Sequence, residues 1–203
     1  MTDMRYGLVL PSPWKHVPLG LGRRERVAEI VDEAIARLPS DAPPDQVAQG
    51  RIKLTEMLDQ RMRDAADQGG TDYYLPTDLM HGVDVRSSFL VSEVVPDAAA
   101  PGGIAGQVMS RLMADGEAKA VSAGGSAWVR SDEVVERPAD ADVADAVSVR
   151  RIEYTTALPS DERRWYVATF TTFGDGDPRG ELAEVMVELF DAIMSTWRWL
   201  DAP

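Results

Sequence analysis

The sequence predicts an α+β fold: a mostly antiparallel sheet covered by helices, with an N-terminal helical hairpin inserted at about residues 22 to 68. Three observations predict it. Residues 22 to 68 carry two apolar stripes at three- and four-residue spacing, the chain beyond Thr71 carries β-branched and aromatic runs broken by turn residues, and its end is a strongly amphipathic helix. With 203 residues and no low-complexity linker, one domain spanning 1 to 203 is the economical organisation.

Each element has its own reason. Tyr6 to Leu10 reads as a short strand, and Pro11-Ser12-Pro13-Trp14 as the rigid turn that ends it, because proline fixes φ and cannot donate to a ladder. Val27, Ile30, Val31, Ala34, Ile35 and Leu38 form one helical stripe that Pro39 stops. Val47, Leu54, Leu58, Met62 and Ala65 form a second, stopped by Gly69-Gly70. Thr71 to Leu75 and Val85 to Val95 read as strands, and Pro101 to Asp115 as a helix. Lys119 to Val121 and Ala127 to Val135 read as a hairpin turning at Gly124-Gly125. Val147 to Leu158 and Arg164 to Phe173 are the clearest strands, and the second is central if both faces of the sheet are covered. The closing helix starts at an Asp177 cap with Pro178 in its first turn, and Leu182 to Trp197 keep its stripe.

Charge and composition exclude several functions. The net charge is −13, and residues 71 to 203 hold 23 acidic against 11 basic side chains. Such a field repels a phosphate backbone, so neither nucleic acid nor an anionic membrane is expected as a partner. No apolar run approaches a membrane span, and the opening ten residues lack the pattern of a signal peptide, so a cytoplasmic location is expected. The chain has no cysteine and two histidines, which leaves no thiolate chemistry and poor material for zinc. No metal and no cofactor are expected.

The motifs that might carry chemistry are incomplete. His16 and His81 are far apart with no local ligand pattern. Asp175, Asp177 and Glu181 fail the calcium-loop spacing at Pro178 and Arg179. Gly102-Gly103-Ile104-Ala105-Gly106 opens the 101 to 115 helix without a Walker lysine or the full dinucleotide pattern. Ser87-Ser88 and Ser110 lack a nucleophile elbow. The aromatic residues Trp14, Tyr73, Tyr74 and Trp199 are the candidates for a partner-binding surface, where Trp and Tyr are often the energetic anchors. Core packing is their alternative use, and Trp197, on the helical stripe, is assigned to the core.

Two segments carry a resemblance. Tyr6-Gly7-Leu8-Val9-Leu10-Pro11 with Trp14, and Tyr166 to Thr172 leading to Leu189-Phe190-Asp191-Ala192-Ile193 and Ser195-Thr196-Trp197-Arg198-Trp199, look like the two ends of PsbP-like and DcrB-like domains. The resemblance covers about a quarter of the chain. It implies an antiparallel sheet sandwiched between helices, a scaffold that in related proteins serves binding: a photosystem subunit, a Ran-binding factor, chaperones of type VI secretion effectors. It transfers no catalytic residue, and the hairpin at 22 to 68 departs from the smaller members. Leu75 to Val83 also resembles a YLP…HGV segment of uncharacterised actinobacterial proteins, which implies no function.

The leading expectation is a non-enzymatic protein-binding module, an adaptor or chaperone-like protein, with inhibition of a basic toxin as a narrower form. One alternative is a small-molecule binder or a carboxylate-dependent enzyme using Glu153, Asp175 or Asp177. Another is a structural subunit of a larger assembly. Homo-oligomerisation stays open.

Overall fold

A computed structural model describes residues 5–94, 118–137 and 147–200. In chain order the elements are β1 (Arg5–Gly7), β2 (Trp14–Pro18), α1 (Arg23–Ala36), α2 (Pro44–Asp67), β3 (Gly70–Pro76), β4 (Ser87–Val94), β5 (Lys119–Ala123), β6 (Ser126–Arg137), β7 (Val147–Leu158), β8 (Asp161–Thr172), α3 (Glu181–Ser195) and β9 (Arg198–Leu200). The expected helix at 101 to 115, with its glycine-rich entry and Ser110, lies outside the described residues.

Seven strands form one antiparallel sheet in the order β2-β3-β4-β8-β7-β6-β5. The first and last strands form a separate ribbon, with Tyr6 opposite Trp199. β8 lies in the middle of the large sheet, as the apolar residues on both its faces suggested. The fold is therefore α+β, a large antiparallel sheet flanked by three helices.

Strand alternation divides the core. One face presents Trp14, Tyr74, Phe89, Val91, Trp128, Ile152, Tyr154, Ala168 and Phe170 to Met186, Phe190, Ile193 and Met194 of α3. The other presents Val17, Tyr73 and Leu75 to Val27, Ile30 and Val31 of α1 and to Leu58, Met62 and Ala65 of α2. The predicted hairpin thus packs on the β2–β3 end of the sheet. Each large side chain buried in this way contributes roughly 1.5 to 3 kcal/mol, so α3, with six buried residues, is integral to the fold.

Several boundaries differ from expectation, and the first strand ends at Gly7 and not at Leu10. Residues 14 to 18 form an edge strand and not only a turn. Residues 198 to 200 leave the helix and pair with β1, so Trp197 sits just past α3. The helix itself begins at Glu181, after Gly180, with no side-chain cap. Asp177 instead accepts the Arg179 N–H at 2.9 Å, while its carbonyl accepts the Gly180 N–H at 3.1 Å. Gly174 and Gly176, both at positive φ, wind the chain into a turn there and delay the helix.

Candidate functional site

Three of the four aromatic residues considered as partner anchors are buried in the fold, and the fourth, Trp199, is partly buried. Trp14, Tyr73 and Tyr74 are 4, 8 and 5% exposed. Trp14 packs on Phe89 and points its indole N–H at the Met80 sulfur, 3.4 Å away. Tyr74 stacks on Phe89 at 4.2 Å between ring centres, and the Tyr73 hydroxyl donates to Ser88 Oγ at 2.8 Å. Trp199 is half-buried, edge-on to Tyr166 and Trp197, with its indole N–H on Ser126 Oγ at 3.0 Å. These residues interlock the ribbon, the sheet and the β5–β6 turn.

Around them lies a polar chain that the sequence did not announce. His16 Nε2 is 2.6 Å from Asp72 Oδ1, the Tyr6 hydroxyl hydrogen-bonds Asp72, and it meets the Tyr74 hydroxyl at 2.9 Å. Burial, then the neighbouring Tyr74 and Asp72 oxygens, push the Tyr6 phenol well above its ordinary range; burial likewise raises Tyr74. Both stay protonated at neutral pH and serve as donors. Burial favours the neutral form of Asp72, but the hydrogen bond and charge of His16 outweigh it and hold the carboxyl below its usual range. Tyr6 is stacked on Trp197 at 4.1 Å, so the chain of contacts pins the ribbon to β3.

A second polar group lies between α3 and the sheet. Arg130 and Arg150 are 6 and 5% exposed. Arg150 grips Asp132 with two hydrogen bonds of 2.9 and 2.8 Å and reaches Glu184 of α3 at 2.6 Å. Arg130 bonds Asp191 at 3.0 Å, and the Tyr154 hydroxyl donates to the same carboxylate oxygen at 2.9 Å. Burial alone would raise the Asp132 carboxyl; the Arg150 hydrogen bonds and the charges of Arg150 and Arg130 bring it below its usual range. Charged residues at core-facing strand positions, alternating with Trp128, Ile152 and Tyr154, were the sequence signal for this network.

The open space lies beside it, at one end of the α3 face. A groove of about 740 Å³ is lined by Val83, Val134, Phe173, Pro178 and Leu182, with Asp84, Arg86, Ser148, Asp175 and Asp177 among its polar residues. Two turns shape it. Met80 and Val83 pair across His81 and Gly82, both at positive φ, which projects Val83 and Asp84 from one side. On the other, Gly174 brings the 173 to 178 turn against α3 so closely that a Cβ there would lie 2.7 Å from the Asp177 carbonyl and 3.2 Å from Ala183 Cβ. The Phe173 N–H donates to the Arg86 carbonyl at 3.2 Å and ties the two turns together.

The three carboxylates considered for acid–base work are thus divided. Asp175 and Asp177 line the groove, whereas Glu153, opposite Ser131 and Thr169, belongs to the other face of the sheet. His81 serves the turn and is exposed. Among the described residues, no three His, Asp or Glu side chains are grouped to hold a metal ion, and no helix is long and apolar enough to cross a membrane. No family model, curated protein or solved structure matches the chain.

Proposed function

We propose that the protein is a non-enzymatic binding module, of adaptor or chaperone type, whose groove takes a basic segment of a partner protein anchored by an apolar side chain. One observation carries this reading: five apolar side chains line an open groove beside three aspartates and a single arginine. Apolar lining supplies affinity, and a rim of like charge supplies selection and on-rate. The chain's net charge of −13 extends the same preference over a longer range. Val83 and Val134 are each more than a third exposed, as a groove awaiting an apolar contact requires.

The test is capture of binding proteins from a native lysate by the wild type and by Asp84→Lys/Asp175→Lys, which reverses the rim. Asp41→Lys/Asp45→Lys, an equal charge change at the α1–α2 connection and the first turn of α2, is the control. The reading requires a protein ligand retained by the control, lost with the groove variant and weakened by salt. Capture unaffected by the rim reversal would remove the groove from the account. A small metabolite recovered from the groove would instead favour the small-molecule alternative, with Asp175 and Asp177 as its polar contacts.

A further inference from the structure

Between β2 and α1 the chain makes a projecting tip, Gly20-Leu21-Gly22, followed at once by Arg23 and Arg24. The tip is pinned on both sides. Leu19, just before it, is buried with its N–H on the Thr71 carbonyl at 2.9 Å, and Val27, just after it, is buried under the sheet. Gly22 turns the chain at φ +84, and a Cβ added to Gly20 would meet nothing within 4 Å. Leu21 is therefore held clear of the body. At 100% exposure it is the most exposed large apolar side chain among the described residues, and it contributes nothing to the core.

The same tip is locally positive in an acidic molecule. Residues 18 to 26 hold three arginines and one glutamate. Arg26 is engaged by Glu29 and by the His16 carbonyl, but Arg23 and Arg24 have no ion-pair partner among the described residues. The groove is the complement of this surface, with Val83, Val134, Phe173, Pro178 and Leu182 to cover a leucine and Asp84, Asp175 and Asp177 to meet cations.

Tip and groove lie at opposite ends of the strands. Pairing sets Ser87, Thr172, Arg150 and Val134 in one row beside the groove. His16 lies opposite Tyr74, and Tyr74 opposite Phe89, two residues from that row; the chain then leads away from it through Pro18 to Leu21. This separates the two sites by on the order of 20 Å along the strands. A copy does not reach its own groove with its own tip.

We infer that the tip of one copy docks in the groove of the next, with Leu21 among the apolar side chains and Arg23 and Arg24 against the aspartates. This rests on the groove reading above and names a second copy of this chain as the partner. Donor and acceptor are different surfaces, so the contact runs head to tail and propagates until the rotation between copies closes a ring. Like net charge does not oppose it at close range. At physiological ionic strength charges are screened over about 8 Å, so a groove meets the tip's local surplus of positive charge and not the −13 of a whole second chain. Residues 1 to 70 hold 10 basic against 11 acidic side chains, which makes the approaching end the least acidic part of the molecule. One tip in one groove is a small contact, so the assembly is weak, reversible and driven by concentration.

The experiment is sedimentation velocity over a wide concentration range, with each side of the contact broken separately. Leu21→Ser/Arg24→Ser removes the tip's contacts at two exposed positions, and Asp84→Lys/Asp175→Lys reverses the groove's rim. The mean mass of the wild type should climb above that of the monomer as concentration rises. Each variant alone should associate at least about tenfold more weakly. An equimolar mixture of the two should form a heterodimer and nothing larger, because one variant supplies the only intact tip and the other the only intact groove. A wild type that stays monomeric at every concentration, an association that either folded variant leaves intact, or a mixture that forms no heterodimer overturns the inference. The groove reading fails or stands separately: a foreign protein captured from lysate by the wild type and lost with the rim variant upholds that reading even where sedimentation shows only monomer.

Discussion

A Cβ added to Gly124 would overlap the carbonyl oxygen of Trp197 and lie 2.7 Å from its carbonyl carbon. The β5–β6 turn is seated directly on the backbone that leads from α3 into β9. Gly124→Ala must therefore shift either the turn or that junction, in addition to straining a residue at φ +57. The expected loss is roughly 2 kcal/mol or more. Gly125, at φ +78 with nothing within 4 Å of its would-be Cβ, provides the contrast: Gly125→Ala carries only the backbone strain, about 1 kcal/mol. Urea unfolding of the two variants measures the difference, and equal losses would contradict this packing.

Tyr6→Phe keeps the ring stacked on Trp197 but removes the hydroxyl shared by Tyr74 and Asp72. A loss of about 1 to 2 kcal/mol is expected, because Asp72 and Tyr74 lose a partner in a half-dry site. Amide exchange should quicken first in β1 and β9. Uniform acceleration across the whole sheet would show that the contact does not govern the ribbon.

Arg150→Met should destabilise by about 3 to 5 kcal/mol, since it leaves Asp132 beneath α3 without its two-pronged partner. Arg150→Met/Asp132→Leu should recover some of that loss, because the carboxylate left with only Arg130 beside it, 3.5 Å away, goes too. A double-mutant cycle on unfolding free energies reads the coupling directly, and strictly additive losses would show the pair to be energetically independent.

Asp72, Asp132 and Glu93 of β4, which accepts from Arg164 at 2.9 Å, all hold their protons less tightly in the fold than in the unfolded chain. A depressed carboxyl stabilises the folded state while pH stays above its ordinary value, which is 3.8 for the aspartates and 4.5 for the glutamate. That contribution fades as pH falls through the lowered values. The urea midpoint should thus change little from neutrality to about pH 5 and drop steeply below about pH 4. A midpoint that rises on acidification would contradict the ion pairs.

How much of this was legible depended on where the determining contacts lie. α1, α2 and α3 announce themselves because a helix repeats its burial every three or four residues, and Ile30, Leu58 or Phe190 each sit within such a local repeat. β2 and β9 do not, because strands of five and three residues contain too few alternations, and their pairing is decided by Tyr74 and Tyr6, distant in sequence. Asp177-Pro178 imitates a helix cap, yet the preceding glycines bend the chain so that Asp177 caps a turn instead. The groove draws on five separate stretches of chain, so no local motif could have marked it. The burial of Trp14 and Tyr74 was hidden for the opposite reason: Trp and Tyr serve cores and interfaces alike, and only the register of β2, β3 and β4 places these two in the core.

The ribbon of β1 and β9 sets Arg5 directly across from Leu200. A load applied between those two residues would act across the rungs of the ribbon and not along its strands, so its hydrogen bonds would break in succession, like the teeth of a zip. The molecule would begin to give at this short pair under little force, while the long ladders of β7 and β8 still held.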